Sequence, residues 1–456
     1  MTVIKKIIII ISIIIFVILL LPSCSKNEEE EIIYPEGTFI QAWLLKYYND
    51  QDYIREFQNL KHLKIKYLIF MNAAEIDYSG NYSHVAYPSA DEKLISEDFN
   101  TDILDKVLYY CSEFDIKCYV GLINDSRWWL NYDLTYNAQR DMFINSCLLM
   151  CNVLEEVYGL YHEKYQSFYG EYFPTELFNC SLYRNADKRA LYAENASKGI
   201  NSIIDKIESL DGQMPLLFSP FINPDRNYSS AEDNGLFYLD LINKTNFRSH
   251  DIFCPQDSIG ARNFPVDDIY PWYEGYKDAV NRANKKITFG INCECFATQT
   301  KNPNYLYPAD IKTFVLQLKA AKEYSDFLIS FALPHYYNDN LTLEGFKKSY
   351  LNYLATGAVE DTPPSAVENF LGVISGNSIA LSWQPSSDEY SIAGYNITRY
   401  DNQGQEIEEI LIRAGVFEQK NIDCAYTFAY NQGDYYSLAA MDCSGNFSSK
   451  TYYLKP

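Results

Sequence analysis

Residues 168–177 read Phe-Tyr-Gly-Glu-Tyr-Phe-Pro-Thr-Glu-Leu. The aromatic run to Phe173 has the composition of a strand. Pro174 then removes a backbone donor and ends any central parallel strand. Alternation sets Gly170 and Tyr172 on one face and Glu171 on the other. Glu176, past the break, keeps the parity of Gly170 and Tyr172. If that face looks into a barrel, Glu176 lies at the C-terminal rim. Glu171 then points to the helix layer, where a cation or solvent is expected to meet it.

The same grammar runs outward in both directions. Apolar runs rich in β-branched and aromatic residues predict strands over 38–45, 64–72, 117–124, 166–173, 215–221, 251–256, 286–294 and 327–335. Amphipathic spacing predicts helices over 50–60, 101–114, 137–160, 188–210, 231–244, 271–283, 309–323 and 343–354. Eight alternating pairs in about 320 residues indicate parallel strands, and the count favours closure into a (β/α)8 TIM barrel over residues 37–357. An open doubly wound sheet is the alternative. No Gly-x-Gly-x-x-Gly follows the first strand, which speaks against a dinucleotide fold.

Barrel sites are built at the C-terminal strand ends. Alternation in the first strand turns Gln41 and Trp43 inward. The second strand ends at Asn72, and the third at Asn124 with Trp128 and Trp129 just beyond. Tryptophans there suit stacking on sugar rings or plain loop packing equally. Gln256 and Asp257 stand at the rim of the sixth strand. The seventh, Gly290-Ile-Asn-Cys-Glu-Cys-Phe296, sets Asn292 and Glu294 inward and Ile291, Cys293 and Cys295 outward. An inward glutamate on a buried strand points to function, because an unpaired buried charge is costly. The eighth strand ends with His335 and Tyr336. His335 suits substrate binding or tuning of a carboxylate, and equally a bland rim position.

Carboxyls on strands four and seven form a meaningful pair. Retaining glycosidases use two, about 5–5.5 Å apart, as acid/base and nucleophile. The layout resembles that of many barrel glycosidases, which commonly carry Asn-Glu on strand four; here Thr175 precedes Glu176. The segments "GTFIQAW", "FYGEYFPTE", "SPFINP", "CPQDSIG" and "FGINCECF" together resemble an uncharacterised family of Bacteroidetes lipoproteins with glycoside-hydrolase-like barrels. The resemblance covers roughly residues 37–355. It implies the barrel and a glycan context, and carries no catalytic assignment.

Residues 358–366 form a proline-bearing linker. Short alternating strands are predicted after it over 378–384, 394–400, 435–441 and 450–454, the pattern of a β-sandwich. The segments "SIALSWQPSSDEYSIAGYNITRY" and "YYSLAAMDCSGNFSS" resemble a fibronectin type III domain over 367–456. The resemblance implies Trp383 as core tryptophan and Tyr395 and Tyr436 as strand tyrosines. Such modules act as spacers or packing partners, and no chemistry is assigned to it. Cys424 and Cys443 are close enough in sequence to pair, which sequence alone leaves open.

At the other end, Lys5 and Lys6 precede an apolar run from Ile7 to Leu21. A basic start, an apolar core and a small residue before a cysteine describe a secretory signal over 1–24. Leu21-Pro-Ser-Cys24 resembles a bacterial lipobox, which implies lipid attachment at Cys24; an uncleaved anchor helix is the alternative. The acidic stretch 25–36 reads as a tether. It resembles the surface-export signal of Bacteroidetes lipoproteins, implying an outer-membrane lipoprotein exposed at the cell surface.

A net charge of −22 argues against nucleic acid and anionic membrane surfaces as partners, since both need basic patches. The cysteines beyond Cys24 show neither a C-x-x-C pair nor metal spacing, so neither metal nor cofactor is expected. The leading expectation is a surface-anchored glycoside hydrolase with Glu176 as acid/base and Glu294 as nucleophile. Gln41, Asn72, Asn124, Gln256, Asp257 and Asn292 would bind hydroxyls; Trp43, Trp128, Trp129 and Tyr336 would be sugar platforms. The alternative is a non-catalytic glycan-binding lipoprotein on a degenerate barrel.

Overall fold

A computed structural model describes residues 31–92, 94, 101–225, 227–299 and 302–453. The expected signal sequence, Cys24 and residues 25–30 of the tether lie outside the described residues. Eight parallel strands close into a barrel: β1 Gly37–Gln41, β2 Tyr67–Met71, β3 Lys117–Gly121, β4 Phe168–Phe173, β5 Leu216–Phe218, β6 Ile252–Phe253, β7 Thr288–Glu294 and β8 Phe327–Phe331. Pairing of Gly37 with Ile329 joins β1 to β8. That closure excludes the open doubly wound sheet.

The helices that follow the strands are α1 Asp50–His62, α2 Ile103–Glu113, α3 Asn137–Tyr161, α4 Ala186–Asp211, α5 Ala231–Lys244, α6 Tyr270–Arg282, α7 Ile311–Lys322 and α8 Glu344–Thr356. Side-chain caps fix several starts, since the first helical N–H groups lack intrahelical partners. Asn49 and Asp52 make a reciprocal capping box on α1. Asn185, Ser230 and Asp310 cap α4, α5 and α7.

Side chains fill the barrel interior. Phe39, Ile69, Tyr119, Tyr172, Leu217, Ile252 and Ile329 are buried together there. Glycines on neighbouring strands make room for the rings. A Cβ at Gly170 would lie 2.9 Å from the Tyr119 ring, and one at Gly121 would lie 3.2 Å from the Tyr172 ring. The two tyrosines thus occupy space that only glycine leaves open. Tyr172 and Gly170 face inward as the alternation predicts, and Glu171 faces outward.

Several strand ends fall short of expectation, with β5 stopping at Phe218 and β6 at Phe253, each three residues early. β1 stops at Gln41, and Ala42–Leu45 forms a helical turn. β8 stops at Phe331, and Leu333–Tyr336 forms another. An apolar run of four residues suits either conformation, and Pro334 at a first helical position favours the turn. The expected third strand divides. Lys117–Gly121 joins the barrel, while Ile123–Asp125 pairs with Ala74–Ile76 in a small sheet completed by Tyr82–Val85. Beyond β7 a hairpin of Phe296–Gln299 and Asn302–Pro308 projects from the same end.

Residues 359–367 lack regular structure and lead to a sandwich. One sheet holds Glu368–Ser375, Ser378–Gln384 and Ala425–Ala429. The other holds Glu406–Arg413, Ile392–Tyr400, Tyr435–Asp442 and Thr451–Tyr453. Trp383, Tyr395 and Tyr436 lie in the core between them. The ten cysteines from Cys111 onward are free thiols, so Cys424 and Cys443 are not bonded.

The sandwich is packed against the barrel. The Ile311 N–H donates to the Cys443 carbonyl at 3.2 Å, and Ser349 and Ser444 share a 2.7 Å hydrogen bond. Lys312 bonds Asn446, and Arg413 donates to the Pro308 carbonyl at 2.8 Å. Gly345 of α8 meets the Tyr390 carbonyl so closely that no Cβ would fit.

Candidate active site at the barrel mouth

β7 carries the central residues. Asn292 and Glu294 are each 1% exposed and face inward, while Ile291, Cys293 and Cys295 pack outward. Asn292 Nδ2 donates to Ser219 Oγ at 3.2 Å, and Asn292 Oδ1 has no partner among the described residues. Gln256 pairs with Asn292 as an isolated parallel bridge. Its amide donates to Glu176 Oε1 at 2.8 Å and to the Ser219 carbonyl at 3.2 Å. Glu176, Gln256, Ser219 and Asn292 therefore form one hydrogen-bonded band across the ends of β4 to β7.

Glu294 closes the band on one side. Its Oε2 accepts the Ala261 N–H at 2.6 Å. Its own N–H donates to Asp257 Oδ1 at 3.2 Å, and the Ile259 N–H donates to the same oxygen. Burial holds the Glu294 carboxyl well above the ordinary carboxylate range, Asp257 pushes it further, and the charge of Glu176 adds to the shift. Burial likewise lifts Asp257 to about 7 against two backbone donors. Glu176 is raised by burial too, with Gln256 and the Arg262 charge drawing it back. Two carboxyls thus lie within electrostatic reach in one mouth, both biased towards holding a proton.

Several expected site residues have other places. Asp257 is fully buried behind Glu294 and bonded to backbone, so it supports that carboxyl rather than meeting a ligand at the rim. Trp128 is 3% exposed and donates its indole N–H to the Glu176 carbonyl at 2.9 Å. It positions the strand-four carboxyl and is not an open platform. Tyr336 is buried with its ring stacked on Phe296 at 5.1 Å, so its face is taken. Among the described residues Glu171 meets no cation. It is fully buried, both oxygens lack partners there, and burial holds its carboxyl well above the ordinary range.

The others gather around the mouth. Trp129 stays open, stacked on Phe178 at 5.9 Å, and lines a cavity of about 90 Å³ with Asn124, Thr175 and Glu176. Asn72 is buried with Oδ1 unpartnered, 2.7 Å from where a Gly121 Cβ would lie. Gln41 accepts the Trp43 indole N–H at 3.0 Å, and His335 Nε2 accepts the Gln41 N–H at 3.4 Å. Burial lowers His335 to about 3, so it is a neutral acceptor.

Ser219 and Arg262 escaped the sequence reading. Ser219 is an unremarked hydroxyl one position past β5, and only its inward parity could have marked it. Arg262 comes from a helical turn, Ile259–Arg262, that no periodicity signals. It lies over the Phe221 ring at 4.8 Å.

A closed (β/α)8 barrel with one buried and one half-buried carboxyl and a polar band at its C-terminal mouth defines a TIM-barrel protein with a candidate two-carboxyl site. The chain belongs to the family described as a domain of unknown function, DUF4434, whose model matches residues 36–341. No curated protein matches it. Among solved structures, it is similar to TsXylA, an intracellular xylanase from Thermoanaerobacterium saccharolyticum JW/SL-YS485. The identity is 15% and the TM-score 0.40, over 66% of this chain and 86% of that one. It is also similar to an alpha-L-arabinofuranosidase from Thermotoga maritima, at 10% identity and TM-score 0.41 over 91% and 97% of the two chains. Likeness at these values carries no inference about activity.

Proposed function

We propose that the protein is a glycoside hydrolase, anchored at the cell surface through a lipid on Cys24, that cleaves a polysaccharide or glycan with two carboxyls. Glu176 is the general acid/base and Glu294 the nucleophile. The observation that supports the reading is the band from Glu176 through Gln256 and Ser219 to Asn292, two residues before Glu294 on β7, together with the effect of the Glu176 charge on the Glu294 carboxyl. A raised Glu176 suits proton donation to a leaving oxygen near neutral pH. The Ala261 N–H would steady Glu294 as it ionises and attacks the anomeric carbon. Asn292 and Gln256 are the candidate hydroxyl binders, with Gln41, Asn72 and Asn124 around them, and Trp129 is the open platform. The three-plus-four arrangement of the C-terminal sheets supports a fibronectin type III-like reading of that domain.

The second reading is glycan binding without hydrolysis. The near-complete burial of Glu294 and Thr175 in place of asparagine favour it. A polysaccharide panel scored for released reducing sugar separates the two. Hydrolysis by the native chain, lost in Glu176→Gln and Glu294→Gln, supports the mechanism, and azide is expected to restore bond cleavage to Glu294→Ala with a glycosyl azide of inverted anomeric configuration as product. An unchanged rate in Glu294→Gln sinks it, and a glycosyl azide of retained configuration from Glu294→Ala would exchange the two roles.

A further inference from the structure

A second cavity, of about 810 Å³, opens between the barrel mouth and the sandwich. Gln41, Trp43, Phe331 and His335 line it from the barrel, and Phe417 and Gln419 from the sandwich. Two large aromatic side chains remain open here. Trp43 is 46% exposed and Phe417 43%, with ring centroids 5.9 Å apart and planes inclined by 51°. The backbone at Phe417 has φ of +55°, a region that bulky residues seldom enter. Its N–H donates to the Leu341 carbonyl of the barrel at 2.7 Å, which fixes the loop in that conformation. An exposed aromatic held in an unfavourable backbone state and facing a second exposed aromatic is not accounted for by core packing.

The polar groups of the cleft are all uncharged. Gln41, His335 and Gln419 offer amide and imidazole groups, and no charged side chain lines the cavity among the described residues. The cleft lies beside the strand end that carries Glu294. Phe331 is the register partner of Glu294. Tyr336, at the cleft floor, is close enough to feel the Glu294 charge. Concave sites of this size with apolar walls and a few polar groups occur preferentially between domains.

We propose that this cleft is a binding subsite for uncharged sugar residues of the glycan chain, with Trp43 and Phe417 as its stacking walls and Gln41, His335 and Gln419 as its hydroxyl partners. The sandwich is then part of the substrate cleft rather than a spacer. This rests on the reading of the mouth as a carbohydrate site. Phe417 touches substrate away from the reacting bond, so its contribution appears in binding of a chain and not in chemistry on a single sugar.

The test titrates the full chain with cello-, manno-, xylo- and arabinohexaose by calorimetry and separately scores their hydrolysis. Oligogalacturonate of the same length serves as the charged comparison. At least one neutral hexasaccharide is expected to bind. Phe417→Ala, with an unchanged melting temperature, should weaken it about tenfold, and Phe417→Trp should restore most of the affinity. Unchanged affinity in Phe417→Ala, binding by none of the four, or preference for oligogalacturonate would each overturn the subsite. Binding that depends on Phe417 without hydrolysis would leave the subsite standing and remove the hydrolase reading.

Discussion

Trp128 donates its indole N–H to the backbone carbonyl of Glu176 at 2.9 Å while its neighbour Trp129 stays open beside the same carboxyl. Adjacent tryptophans thus differ in place, one holding the backbone at Glu176 and the other open beside its side chain. Trp128→Phe keeps most of the packing and leaves the carbonyl unpaired. We expect it to cost about 1–2 kcal/mol of stability and to lower kcat. Trp129→Ala should raise KM several-fold with little change in melting temperature. Steady-state kinetics with thermal unfolding separates the two.

Asp257 and Glu294 form a like-charged pair behind the mouth. Asp257→Asn keeps an oxygen to accept the Ile259 and Glu294 N–H groups but removes the negative charge. The Glu294 carboxyl should then ionise more readily. The acid limb of the kcat/KM profile is expected to move to lower pH by roughly one unit. A profile that stays in place, or moves to higher pH, would exclude the pairing.

Glu171 makes stability depend on pH in a defined direction. Its folded-state pKa lies above its unfolded value, so its contribution is fully present below about pH 4.5 and is lost as pH rises through the folded value. Glu56 on α1, lifted by burial to about 7 despite hydrogen bonds from Tyr48 and Asn338, acts in the same sense. Its share amounts to roughly 3 kcal/mol lost between about pH 4.5 and 7. Glu171→Gln should raise the melting temperature at pH 8 and flatten its decline between pH 5 and 8. Denaturation at several pH values checks this.

In the sandwich, Arg399 and Asp434 form a buried ion pair at the end of the core. Asp434→Ala leaves a buried guanidinium uncompensated and should destabilise by about 3–5 kcal/mol. Replacing both partners by apolar residues of similar size should recover most of that loss. Chemical denaturation of the single and double variants measures both.

The barrel was legible because its signal is periodic. In β7, alternation alone places Asn292 and Glu294 inward, and in β4 it separates Glu176 from Glu171. The fate of Glu171 was not legible, since a sequence reports parity but not whether a cation waits behind the sheet. Nor could parity separate Trp128 from Trp129, because the short 3-10 turn that carries them does not follow strand alternation. The helical turns at Ala42–Leu45 and Leu333–Tyr336 read as strand ends because four residues carry too little periodicity to tell one from the other. Phe417 was out of reach altogether, as its meaning depends on a contact with Trp43 more than three hundred residues away.

The contacts that seat the sandwich against α7 and α8 run mostly outside residues 359–367, where Glu360 accepts the Asn446 amide at 3.1 Å. Cutting the chain between Asp361 and Pro364 would break none of those contacts. The two fragments would remain docked through Ser349 and Ser444, Lys312 and Asn446, and the tight meeting of Gly345 with Tyr390. A nicked molecule would migrate as two bands under denaturing conditions and elute as one species in native buffer. What is written in the gene as a tandem of two folds is, in its mechanics, a single body with an incidental covalent strap.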